Sequence, residues 1–162
     1  MQVIKDVTIG TANYRIAKMS AKTGSWLLML LMGKMLKVMQ ENKPDSNQQQ
    51  EAQLPEKEQT EAEKLAEQEA AASAAISFML MNLDEATYAK VQSAALNCCM
   101  LLQVNGAGIA APIPIVMYDG QFAVKELEYD IETVLQLMSK ALFLNLSPFF
   151  TSGKLMGLVS AN

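Results

Sequence analysis

The chain has 162 residues, a formal net charge of −4 and 51% apolar residues. That length suits one domain with a genuine core, and the apolar content excludes a wholly disordered chain. A single arginine, Arg15, in an acidic balance gives no basis for binding nucleic acid, and the absence of histidine removes the commonest general base and transition-metal ligand.

Residues 2–19 read as a β-hairpin. Val3, Val7 and Ile9 share a face, Gly10-Thr-Ala-Asn13 has turn chemistry, and Tyr14 and Ile16 begin the return arm. No basic run followed by an apolar block opens the chain, so no signal peptide is expected. Ser20 stands where it can N-cap a helix over 21–40. Within that helix Trp26 to Met32 is apolar at every position, so protein must wrap it. Lys34 and Lys37 end the run well short of the roughly 18 apolar residues of a membrane-spanning helix. Gly24 and Gly33 would let a neighbouring element approach closely.

Composition then changes. Asn42-Lys-Pro-Asp-Ser-Asn-Gln-Gln-Gln50 has no large apolar residue, and Pro44 and Pro55 punctuate a segment unable to offset its own ordering entropy. Residues 42–59 are therefore expected to be a flexible polar linker. Thr60-x-x-Glu63 has the form of a capping box, opening a helix over 61–83 with Leu65, Ala72, Ile76, Met79, Leu80 and Leu83 largely on one face. Asp84 can cap a helix over 85–103, striped by Tyr88, Val91, Ala95, Cys98, Cys99 and Leu102 and ended by Asn105-Gly106.

A second hairpin is expected to pair 112–118 with 121–124 across Asp119-Gly120, with Pro112 and Pro114 marking an edge strand or a strand's start. The last helix spans 127–146. Ile131, Val134, Leu135, Met138, Leu142 and Leu146 give it helical periodicity, and Pro148 stops it. The fold class is thus mostly α with two small β-hairpins, an α+β arrangement. Residues 1–162 form one compact helical domain interrupted by the linker.

Motifs for catalysis are weak. Gly106-Ala-Gly108 resembles a fragment of a dinucleotide loop, but it follows a helix and lacks the third glycine. Ser152-Gly-Lys154 lacks both the first glycine and the hydroxyl of a phosphate loop. The acidic pairs Asp84-Glu85, Glu126/Glu128 and Asp130/Glu132 suit helix starts. Adjacent Cys98 and Cys99 have neither disulfide-framework nor metal spacing and read as small packing residues. No catalytic, cofactor or metal site is expected, and no enzyme. Methionine is in excess, with 12 in the chain; it fills irregular cores and also lines adaptable helix-binding grooves.

The order of these elements resembles that of tail assembly chaperones of long-tailed bacteriophages, over nearly the whole chain outside the linker. Carrying the resemblance are Tyr14-Arg-Ile16, then Met19-Ser-Ala-Lys-Thr-Gly24 with the apolar helix behind it, and the closing Ala141-Leu-Phe-Leu-Asn-Leu-Ser-Pro-Phe-Phe150. It implies a non-catalytic protein of the host bacterial cytoplasm that binds the tape measure protein and keeps it soluble. It also implies help in recruiting tail tube subunits, so the tail tube protein is a further partner, and a second copy of the chain is another. Nucleic acid and membrane are not expected as partners.

The candidate client surface, acting by helix-in-groove capture, is Trp26, Met29, Met32, Met35 and Met39. Tyr14, Gly24, Asn145, Pro148, Phe149 and Phe150 are expected to hold the fold. The alternatives are a structural tail or head-completion protein kept in the virion, and a membrane-active lysis protein inserting 26–39 and 70–83. Lys34 and Lys37 speak against the second.

Overall fold

A run rich in β-branched residues at the start of the chain builds the first strand pair. In a computed structural model, which describes residues 2–41 and 60–151, β1 (Val3–Ile9) pairs antiparallel with β2 (Ala12–Ala17). Gly10 makes the turn at φ 59°, a left-handed conformation that glycine adopts without steric cost. Across the exposed face, the Arg15 guanidinium donates two hydrogen bonds to Asp6, at 2.8 and 2.9 Å, and holds that carboxyl below its ordinary pKa.

β3 (Cys99–Val104) adds to β2, with Tyr14 opposite Leu101 and Ile16 opposite Cys99. β4 (Ala110–Pro114) closes a four-stranded antiparallel sheet in the order β1-β2-β3-β4. The helix expected over 85–103 is thereby corrected: it ends at Leu96, and its last third becomes β3. Met100-Leu101-Leu102 is a short apolar run that fits either period, and pairing with β2 and β4 satisfies its backbone groups. Asn105-Gly106 accordingly turns a hairpin instead of ending a helix, the Asn105 Oδ1 accepting from the Ala107 and Ile109 amides at 3.0 Å each. Pro112 and Pro114 lie in β4, at the sheet's free edge, where a missing N–H costs no ladder bond. Of the hairpin expected across Asp119-Gly120, one bridge forms, between Val116 and Phe122, with Gly120 at φ 83°.

The helices are α1 (Ala21–Glu41), α2 (Glu61–Met81), α3 (Glu85–Leu96) and α4 (Ile131–Thr151), the last preceded by a 3-10 turn at Lys125–Tyr129. Their starts follow the capping residues. Ser20 Oγ accepts from Thr23 N at 3.1 Å, and Asp84 Oδ1 from Thr87 N at 2.9 Å. Thr60 and Glu63 exchange both capping-box bonds. The helix expected over 127–146 is shifted: Asp130 caps α4, accepting from Thr133 N at 3.0 Å, and α4 passes through Pro148 to Thr151. Pro148 sits in the last turn, where few downstream helical bonds depend on it, and Phe150 packs against the core beyond it. Residues 42–59, expected as a linker, lie outside the described residues.

One core unites the layers. Leu27 and Leu31 of α1, Ile76 and Met79 of α2, Val91 and Leu96 of α3, and Leu137, Met138, Leu142 and Leu146 of α4 meet Tyr14, Ile16 and Cys99 from the sheet. Among the described residues no polar or charged side chain is buried outright. The seam on α4 is rotated from the expected stripe, since Leu137 and Ala141 are buried whereas Ile131 and Leu135 are 75% and 42% exposed.

Asn145 fastens α4 to the corner where β2 becomes α1. Its Oδ1 accepts from Met19 N at 2.8 Å, and its Nδ2 donates to Ala141 O at 2.9 Å and Ala17 O at 3.3 Å. Both ends of one carboxamide are used, which neither a carboxylate nor an alkyl chain can imitate. Tyr14 is buried, Phe150 is partly buried and Phe149 is 36% exposed. Gly24 and Gly33 differ from expectation: a Cβ at either would meet nothing within 4 Å, so no described element approaches them closely. Asn145→Ala should cost about 2–3 kcal/mol in urea unfolding, because it leaves the partly buried Met19 N–H and two carbonyls short of partners. Asn145→Asp should be no better tolerated at neutral pH, since it points a carboxylate at those carbonyls.

Candidate functional site

The apolar run on α1 divides into two faces. Leu27, Leu28, Leu31 and Met32 point into the core, whereas Trp26, Met29 and Leu36 are 41%, 67% and 46% exposed. Trp26, Met29, Gly33 and Leu36 follow helical spacing, so they form one outward stripe. The open space at Gly33 makes a notch of bare backbone between Met29 and Leu36. Of the residues expected to face a client, the structure places Trp26 and Met29 outside and Met32 in the core, at 9% exposure. Met35 and Met39 belong to α1 by backbone, and their side chains lie outside the described residues. Trp26, Met29, Met32 and Met35 run in i, i+3 steps, which drift around the helix. Stepping alternately by three and four from Trp26 would have found Gly33 and Leu36.

Beside this stripe runs a groove that sequence reading missed. α1 packs on α2 and α4, and α3 packs on α4. Lys34 Nζ donates to Asp84 Oδ2 at 3.1 Å, tying the later part of α1 to the start of α3, so the two helices run antiparallel. Between the first half of α1 and the second half of α3 lies an open cavity of about 1050 Å³. Met19, Leu96 and Val116 supply its buried apolar lining, Trp26 and Phe122 flank it, and Lys18, Lys22 and Lys90 stand exposed along it. Lys18 and Lys22 lie close together at the start of α1 and Lys90 some seventy residues later, so no local motif announces the three together.

Cys98 also lines the groove, buried beside Cys99. The Cys98 and Cys99 thiols donate to Ala95 O, at 3.0 and 3.5 Å, and both are free and buried. The contact with Cys98 and then burial push the Cys99 thiol far above its ordinary range, away from reactive thiolate. Among the described residues no group of three or more acidic or cysteine side chains is placed to hold a metal ion, and no helix is long and apolar enough to cross a membrane.

The described residues thus form an α+β arrangement with an outward apolar helix face and an adjoining groove. A family model described as phage tail assembly chaperone protein, TAC, matches residues 10–157, and the chain belongs to that family. No curated protein and no solved structure matched.

Two predictions follow from this geometry. Met29→Glu should leave stability within about 0.5 kcal/mol of the parent, whereas Met32→Glu should cost more than about 3 kcal/mol by burying a carboxylate, as read by thermal unfolding. Hydrogen bonds from Thr87 and then Lys34 hold the Asp84 carboxyl well below its ordinary value, so its stabilisation is present above the unfolded carboxylate pKa near 4 and is lost as pH falls below it. Asp84→Asn should therefore lower Tm at neutral pH, and its Tm should converge with that of the parent on acidification.

Proposed function

We propose that this chain binds the tape measure protein, keeps it soluble during tail morphogenesis in the host cytoplasm and helps recruit tail tube subunits, without catalysis. The family is one of tail assembly chaperones, and the observation that carries the finer reading is the outward stripe of Trp26, Met29 and Leu36. A holdase for a long apolar-faced helix needs adaptable apolar surface on a scaffold that does not itself aggregate. Met29 supplies the adaptability, Trp26 the largest contact area, and the Gly33 notch lets a client helix lie close to α1. The chain acts as one domain.

The energetics suit a temporary grip. Full burial of each large apolar side chain gives about 1.5–3 kcal/mol, and association costs at least about 4 kcal/mol in lost freedom. A few such anchors hold a client only while many copies or local concentration help, so growing tube can displace them. Co-expression with the tape measure protein tests this. The parent chain should bring the client into the soluble fraction and co-purify with it, and Trp26→Glu with Met29→Glu should lose both effects while remaining folded by circular dichroism. A client equally insoluble with and without the parent chain would overturn the reading.

A further inference from the structure

Past Thr151, where α4 ends, the chain continues as Ser152-Gly-Lys-Leu-Met-Gly-Leu-Val-Ser-Ala-Asn162, outside the described residues. Leu155, Met156, Leu158 and Val159 are large and apolar, and no charged residue follows Lys154. Gly153 and Gly157 disfavour a helical continuation of α4. An uncharged apolar stretch of this kind gains free energy from any apolar surface within its reach.

The groove between α1 and α3 begins where α4 is pinned. Asn145 Oδ1 accepts from Met19 N at 2.8 Å, and Asn145 Nδ2 stands 3.9 Å from Cys98 Sγ. Met19 and Cys98 both line the groove. Thr151 is six residues further along α4, about 9 Å in a helix. The eleven residues beyond it span about 36 Å when extended. The α3 wall of the groove, residues 89–96, is only about 11 Å long. The tail therefore reaches the groove and can run its length.

The lining suits a short neutral segment. At about 1050 Å³ the groove is near the top of the roughly 300–1,000 Å³ range of ligand pockets, so it admits several side chains. Gln92, Ser93 and Asn97 on its α3 side offer carboxamides and a hydroxyl to the backbone of an extended guest. Lys18, Lys22 and Lys90 are exposed at the rim, where methylene stems can cover an apolar guest while the ammonium groups stay in water.

We propose that residues 152–162 fold back and dock in the α1–α3 groove of their own chain, with residues 155–159 against Met19, Leu96 and Trp26. A weak contact suffices, because a short tether holds its two ends at an effective concentration on the order of millimolar. Trp26 belongs to both the groove and the outward stripe, so the docked tail covers one flank of its ring and leaves Met29 and Leu36 free. The contact lies within one copy and does not rest on client binding.

Photo-crosslinking of the full chain tests the contact. A photoreactive residue in place of Leu158 should link to residues 19–26 or 89–98 of the same copy, as read by mass spectrometry on mixed isotope-labelled and unlabelled chains. Raising salt from about 0.05 to about 0.5 M should leave these links intact, because the contact is apolar. Ala89→Arg with Ser93→Arg, which fills the groove from its α3 wall, should lose them while staying folded by circular dichroism. Trp26 is the one tryptophan of the chain, so its fluorescence gives a second reading. Leu155→Asp with Leu158→Asp should move its emission to longer wavelength and raise quenching by acrylamide about twofold, as the ring loses cover. No links, links to other surfaces or only between copies, links that survive filling the groove or vanish at high salt, or unchanged Trp26 emission would each overturn the proposal.

Discussion

The carboxamide of Asn145 sets how the layers of this protein meet. It reaches from α4 to Ala17 and Met19, at the corner where the sheet gives way to α1, and also holds the Ala141 carbonyl of its own helix. Apolar side chains around it supply most of the burial but little directional information. Hydrogen bonds with fixed donors and acceptors supply the direction. By fixing the corner, Asn145 fixes the rotation at which α1 departs. That rotation sends Leu27 and Leu31 inward and leaves Trp26 and Met29 outside.

A helix that is apolar all round needs cover on every side, and here the chain covers only one side. The cost of the other side is an aggregation-prone stripe in the free protein. Lysines interrupt it at positions 34 and 37, and the chain as a whole is acidic, which limits non-specific contact. A tail assembly chaperone needs this division: an inner face that keeps the fold intact, and an outer one whose contacts can be made and broken without disturbing it.

Local chemistry was the most legible part of the sequence. Ser20, Thr60 with Glu63, and Asp84 mark helix starts that depend on hydrogen bonds within three residues, and all three form. The first hairpin is legible for the same reason, its turn resting on Gly10. Residues 97–104 were not, because a short apolar run suits a helix or a buried strand equally and the deciding partner, β2, is some 85 residues away in sequence (Arg15 opposite Met100). Pro148 misled because its cost depends on how much helix follows it. Asn145 was legible as a structural residue through the family resemblance, but its partners are long-range. Met32 shows the limit of composition, since methionine serves cores and clefts alike and only the helix rotation separates them.

Site-specific photo-crosslinking in cells making both proteins tests the central claim most directly. A photoreactive residue at position 29 or 36 of α1 should capture the tape measure protein, while one at the equally solvent-facing position 131 of α4 should not. Capture from position 131 with none from 29 or 36 would contradict the account and move the client surface off α1.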